Sequence, residues 1–170
     1  LAVKAMNLIV HALPKAFANP NNLQAREDMA TGSLLACLAL GNAGVGAVHA
    51  LAYPLGGRYH LAHGVTNALL LPFVMEWNKL ACVERFRGIA VAFDEPVAGL
   101  SDDAVAQAVI QRMHKLCADV EIPSGLRSFD IPESDIPELA AEAIKVERLL
   151  RNNPRVLTLA DVEAIYHAAY

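Results

Sequence analysis

The stretch MATGSLLACLALGNAGVGAVHALAYPLGG, Met29 to Gly57, carries no charged side chain over its 29 residues. A bilayer span needs about 20 apolar residues, so the run reads either as a membrane helix or as the core of a helical protein. Its six glycines, together with Asn42, His49 and Pro54, suit lipid poorly. Arg26, Glu27 and Asp28 before it do not make a basic flank. The core reading is therefore taken, and no membrane is expected. Leu23 to about Ala52 reads as one long helix, and a helix apolar on all sides is a buried one. Its Gly and Ala positions let neighbours approach the backbone. The run Gly41–Gly46 has no preceding strand and reads as helix packing, not as a dinucleotide loop.

Outward from this stretch the chain keeps a helical period. Ala5, Leu8, Ile9, Ala12, Leu13 and Ala16 lie on one face of a first helix, with Pro14 near its end. Asn19-Pro20-Asn21-Asn22 is a turn, and an Asn there suits an N-cap. Pro54-Leu55-Gly56-Gly57 reads as a helix-breaking loop. Further helices are expected from His63 to about Asn78, over Leu80–Phe93, over Ala104–Val120 after Ser101-Asp102-Asp103, over Glu138–Leu149 with Pro137 in the first turn, and over Thr158–Tyr170. Thr158 and Asp161 have the spacing of a capping box. Alternating strand patterns are absent, so the fold class is all-α, a bundle of about seven helices in a single domain spanning residues 1–170.

Composition narrows the class. The chain is 55% hydrophobic and 19% charged, with a net charge of -4. That content is too apolar for a disordered chain. It lacks the basic excess that binds a phosphate backbone, so nucleic acid is not an expected partner. Cys37, Cys82 and Cys117 have neither metal-knuckle nor redox spacing. They read as three buried or half-buried reduced thiols, which places the protein in the cytoplasm. No secretory leader is visible, and the first residues look like the interior of a helix, as in a fragment.

Chemistry concentrates around one hairpin. His49 lies near the end of the apolar helix, His63 follows fourteen residues later, and His60 and Tyr53 lie between them. A helix end, a reversal and a helix start bring such residues to one point. Neutral imidazole is a favoured ligand for zinc and iron, so His49 and His63 are candidate metal ligands. The competing reading is core histidines satisfied by hydrogen bonds. His11, His114 and His167 read as surface or rim residues. No Ser or Cys sits in a nucleophile context, and no phosphate-binding loop is present.

The sequence GAVHALAYPLGGRYHLAHGVTNA, Gly46 to Ala68, resembles the signature of the iron-containing (group III) alcohol dehydrogenases. Asn21–Ala43, Leu70–Asn78, Asn153-Pro154-Arg155 and Asp161–Tyr170 are also similar to that family. The resemblance implies the C-terminal helical domain of a dehydroquinate synthase-like fold, with an N-terminal α/β domain for NAD or NADP outside this chain. It implies Fe2+, with Zn2+ possible, held by one Asp and three His. The last two His match His49 and His63, and the other two ligands fall before Leu1. Many members have His where Tyr53 stands, in a proton-transfer role, and some have Asn where His60 stands. Tyr53 and His60 are therefore the catalytic candidates. The implied reaction moves hydride between a small alcohol or aldehyde and nicotinamide, with the metal as Lewis acid, in a full-length homodimer. The alternative reading is a stand-alone helical interaction or scaffold module without catalytic activity.

Overall fold

The computed structural model describes all residues, Leu1–Tyr170. They form nine α-helices and three short 3-10 turns, with no strand, in agreement with the all-α expectation. The count exceeds seven because two expected helices are each divided. The chain separates into two compact units, Leu1–Gly44 with Cys82–Val120 and Val45–Ala81 with Glu121–Tyr170.

In the first unit, α1 (Ala2–Ala18) packs along α2 (Leu23–Ala43) and also touches α5 (Phe86–Ala92), which lies against α6 (Asp102–Asp119). Asn22 caps α2 by accepting the Ala25 N–H at 3.1 Å, and Ser101 caps α6 by accepting that of Ala104 at 3.2 Å. At Gly32, α1 lies close against the backbone of α2. A Cβ there would stand 2.8 Å from Ile9 Cγ1 and 3.2 Å from Leu8 Cβ.

Three expectations are corrected in this region: one continuous long helix, its burial on all sides, and a buried or half-buried Cys37. The long helix stops at Ala43, where Gly44 takes φ 76° and ends it, so Gly44–Gly46 is a helix break. No single helix is long and apolar enough to cross a membrane. Nor is α2 buried on all sides: only Ala25 and Gly32 are buried, while Leu23, Leu34, Leu38 and Leu40 are exposed. Apolar composition shows that a helix face seeks a neighbour, not that this chain supplies one. Cys37, on the same helix, is exposed, while Cys82 is buried and Cys117 half-buried; all three are free thiols.

In the second unit, α3 (Ala47–Tyr59) forms the centre. Ala47, Ala50, Leu51, Ala52 and Leu55 are all essentially inaccessible. They pack with Leu69, Leu70 and Val74 of α4 (His63–Cys82) and with residues of α7 (Ile136–Ala143), α8 (Glu147–Leu150) and α9 (Leu159–Ala168). Pro54-Leu55-Gly56-Gly57 is not a loop: it lies inside α3. Burial of Pro54 and Leu55 outweighs the helix-breaking tendency of the sequence. The reversal falls instead at His60–Ala62, with His60 left-handed at φ 56°. The helix expected over Glu138–Leu149 is divided into α7 and α8, with Pro137 in the first turn of α7.

The packing sets the direction of two substitutions. Gly32→Val is expected to lower stability by about 1–3 kcal/mol, the usual cost of overpacking. Gly88→Ala, with open space around an exposed helical site, is expected to raise stability by about 0.4–1 kcal/mol. Denaturant melts check both. At the start of α9, Asp161 accepts from the Thr158 N–H at 2.8 Å and its hydroxyl at 2.7 Å. These bonds hold its carboxyl below the usual range. The cap's contribution is thus present above the ordinary carboxylate pKa and is lost as pH falls through the folded one. Asp161→Ala is expected to cost about 1 kcal/mol at neutral pH. The melts of parent and variant should converge in acid.

Candidate metal centre

The site is built by α3, the reversal after it and the first turn of α4. Helical spacing puts His49 and Tyr53 one turn apart on one face of α3. Gly46 begins that helix in an extended conformation, three residues before His49. His63 is the first residue of α4. The reversal folds it back so that the His49 and His63 ring centroids lie 5.4 Å apart at 59°. The Tyr53 ring lies 6.0 Å from that of His63. Of the four candidate residues, the structure brings together His49, Tyr53 and His63. His60, exposed at the C-cap of α3, is in the reversal itself and makes no ring contact with the other three.

His49 is half-buried, and its imidazole titrates below the ordinary range. Burial is the larger cause, and the charge of a protonated His63 is the second. Both favour the neutral ring, the form that donates a lone pair to a metal. His63 is exposed, and Asn67 sits one helical turn beyond it. The Asn67 amide donates to the His63 carbonyl at 2.8 Å and lies 3.2 and 3.3 Å from the two ring nitrogens. The Thr66 hydroxyl donates to the same carbonyl at 3.0 Å. Asn67 received no role from the sequence, although the i, i+4 spacing from His63 would have exposed it.

As a metal centre the pair fits in part. Two imidazoles face each other at the distance of shared ligation, and one is biased to its neutral form. No third His, Cys, Asp or Glu joins them. A metal ion needs three or four protein donors, so these residues fit as half of a ligand set. The other histidines lie elsewhere. His11 donates through Nδ1 to the Asn7 carbonyl at 2.7 Å and has Nε2 3.1 Å from Asp94. His167 pairs with Glu133 at 3.4 Å on the surface, and His114 is exposed.

The end of α3 is tied down by polar contacts. The Tyr59 hydroxyl donates to Asp135 at 2.6 Å, and burial together with that carboxylate pushes its pKa up to about 12. Arg58 meets Glu138 at 2.6 Å. In the core, the hydroxyl of fully buried Tyr166 donates to the Leu51 carbonyl at 2.6 Å, between His49 and Tyr53 in sequence. Neither contact is visible in local sequence, because the partners are 76 and 115 residues apart.

Comparison with known proteins gives the family and the fold of the chain. The description "Fe-containing alcohol dehydrogenase family, C-terminal" matches residues 1–170. Long-chain-alcohol dehydrogenase 1 of Geobacillus thermodenitrificans is 46% identical over 170 residues, covering all of this chain and 43% of the relative. 1,3-Propanediol dehydrogenase of Klebsiella pneumoniae is 41% identical over 99% of this chain and 43% of its own. The crystal structure of a 1,3-propanediol oxidoreductase superposes with a TM-score of 0.96 at 41% identity, covering 99% of this chain and 44% of that one. The chain thus spans less than half the length of the curated relatives it matches. Fold and sequence together define the helical C-terminal part of a dehydrogenase architecture, and the chain belongs to the Fe-containing alcohol dehydrogenase family.

The two causes of the His49 shift can be separated. His63→Ala is expected to move the His49 midpoint upward, only part of the way to the value of a free imidazole, because burial stays. A pH titration of the His49 ring by NMR reads this directly. No movement on removing His63 would show that the two rings do not sense each other.

Proposed function

We propose that residues 1–170 form the metal-holding domain of an NAD(P)-dependent alcohol dehydrogenase. The observation that carries this reading is the convergence of His49 and His63 on one point, in a chain of this family. When bound, Fe2+ (or Zn2+ in its place) supplies Lewis-acid polarisation of a substrate oxygen. His49 and His63 would hold it, with the remaining ligands coming from outside these residues. Asn67 keeps the His63 backbone and ring in place. Tyr53, 45% exposed beside His63, has a hydroxyl that can donate to a substrate oxygen or accept from it. His60, exposed in the reversal, is assigned the relay of a proton to solvent.

The reaction class is hydride transfer between a small alcohol or aldehyde and nicotinamide. The names of relatives support it, among them the NAD-dependent methanol dehydrogenase of Bacillus methanolicus, 39% identical over 164 residues. The nicotinamide, NAD or NADP, is bound mainly by a separate α/β domain. The working form is a homodimer. Three free thiols suit a reducing, cytoplasmic setting.

A chimera tests the reading. This chain replaces the matching 43% of the Klebsiella 1,3-propanediol dehydrogenase. The chimera is expected to bind iron and turn over, and His49→Ala and His63→Ala are each expected to lower metal affinity at least about a hundredfold. Unchanged metal content and turnover in both variants would overturn the metal assignment and favour a helical scaffold. The chain by itself is expected to bind Zn2+ more weakly than micromolar, since two ligands are too few.

A further inference from the structure

The segment Asn152–Arg155 links α8 to α9 and has no place in the chemistry above, yet it holds unusual contacts. Asn78, on α4, is only 5% exposed. It forms a reciprocal amide pair with Asn153: its Nδ2 donates to Asn153 Oδ1 at 3.0 Å, and Asn153 Nδ2 donates back to Asn78 Oδ1 at 2.7 Å. Asn153 Nδ2 also donates to the Arg155 carbonyl at 2.6 Å. Arg155 donates to the Trp77 carbonyl at 3.0 Å and stacks 3.5 Å above the Trp77 ring. On its other side the segment meets the start of α3. Asn152 donates to the Val45 carbonyl at 3.1 Å, and a Cβ on Gly46 would stand 3.5 Å from Asn153 Oδ1 and 3.8 Å from its Cα.

One short loop thus grips the N-terminus of α3 and the C-terminal half of α4. Those two helices carry His49 and His63. His49 is three residues from the gripped Gly46. Asn78 lies fifteen residues beyond His63, about 22 Å along a helix at 1.5 Å per residue. Over that arm a rotation of α4 of a few degrees at the clamp displaces His63 by an ångström or more. Ligand and catalytic geometries tolerate only about 0.5 Å. Surface loops normally make weak, replaceable contacts, whereas this one meets a buried amide on both its donor and acceptor sides.

We infer that Asn153 is a positioning residue for the His49–His63 pair, setting through Asn78 and Gly46 the distance at which the two imidazoles face each other. The inference rests on the metal-holding reading for its purpose, but not for its geometry. Asn153→Asp keeps the side-chain shape and replaces the donating amide by an oxygen facing two acceptors, Asn78 Oδ1 and the Arg155 carbonyl. The test measures the NOE between the His49 and His63 ring protons in the labelled 170-residue chain, with Tm for each variant. Val162→Ala, a fully buried α9 site outside the clamp, is the control for plain loss of stability.

Both Asn153→Asp and Val162→Ala are expected to melt lower than the parent. Only Asn153→Asp is expected to lose half or more of the NOE. An NOE retained in Asn153→Asp at a lowered Tm overturns the inference. So does an equal loss in Val162→Ala, which would make the effect general softening. If the Asp variant does not fold, Asn153→Ala, which removes the amide pair without adding a charge, is measured in the same way. Loss of its NOE beside a retained one in Val162→Ala supports the clamp, and a retained NOE in Asn153→Ala overturns it. A parallel Zn2+ titration of the full-length chimera separates the two readings. Zn2+ affinity unaltered by His49→Ala defeats the metal reading and leaves the NOE result standing.

Discussion

Burial of α3 is the constraint on which the second unit depends. A helix of Ala47, Ala50, Leu51, Ala52 and Leu55 with almost no accessible surface has to be surrounded closely by other helices. Alanine makes that possible by bringing backbones near one another. The consequence is rigidity where chemistry is expected. His49 and Tyr53 ride on a helix that cannot rotate without disturbing its neighbours, and Tyr166 adds a directed bond to the Leu51 carbonyl between them. A polar site on a helix gripped this firmly is a preorganised one.

Around that helix the polar contacts divide by location. Exposed pairs such as Arg151 with Glu147 contribute little, as surface ion pairs generally do. Asn78 and Tyr166 are buried, where leaving a partner unmade costs about 1–3 kcal/mol. Buried bonds are therefore the ones that select a single arrangement of α3, α4 and α9, while the apolar contacts supply most of the driving force.

What is legible in the sequence is local. Asn22, Ser101 and the Thr158–Asp161 box act as caps where their residue types and spacing place them, because a cap depends on neighbours three residues away. The His49 to His63 convergence is also legible, since the distance between them is short in sequence. Pro54-Leu55-Gly56-Gly57 misleads because its turn propensity is overridden by the burial of Pro54 and Leu55. The exposure of α2 is hidden because hydrophobicity carries no address for the neighbour it prefers. The clamp is hidden because Asn78 and Asn153 are 75 residues apart, and an asparagine pair leaves no periodic trace.

The chain holds a single tryptophan, and it is the one stacked beneath the Arg155 guanidinium. Its indole N–H is buried without a protein acceptor, so its surroundings are set almost wholly by that cation and by the cleft formed with Phe73, Ile165 and Ala168. Tryptophan emission from this protein therefore comes from one address, the junction of α4, α9 and the loop before α9. Any event that loosens that junction changes the colour and intensity of that emission, with no label added.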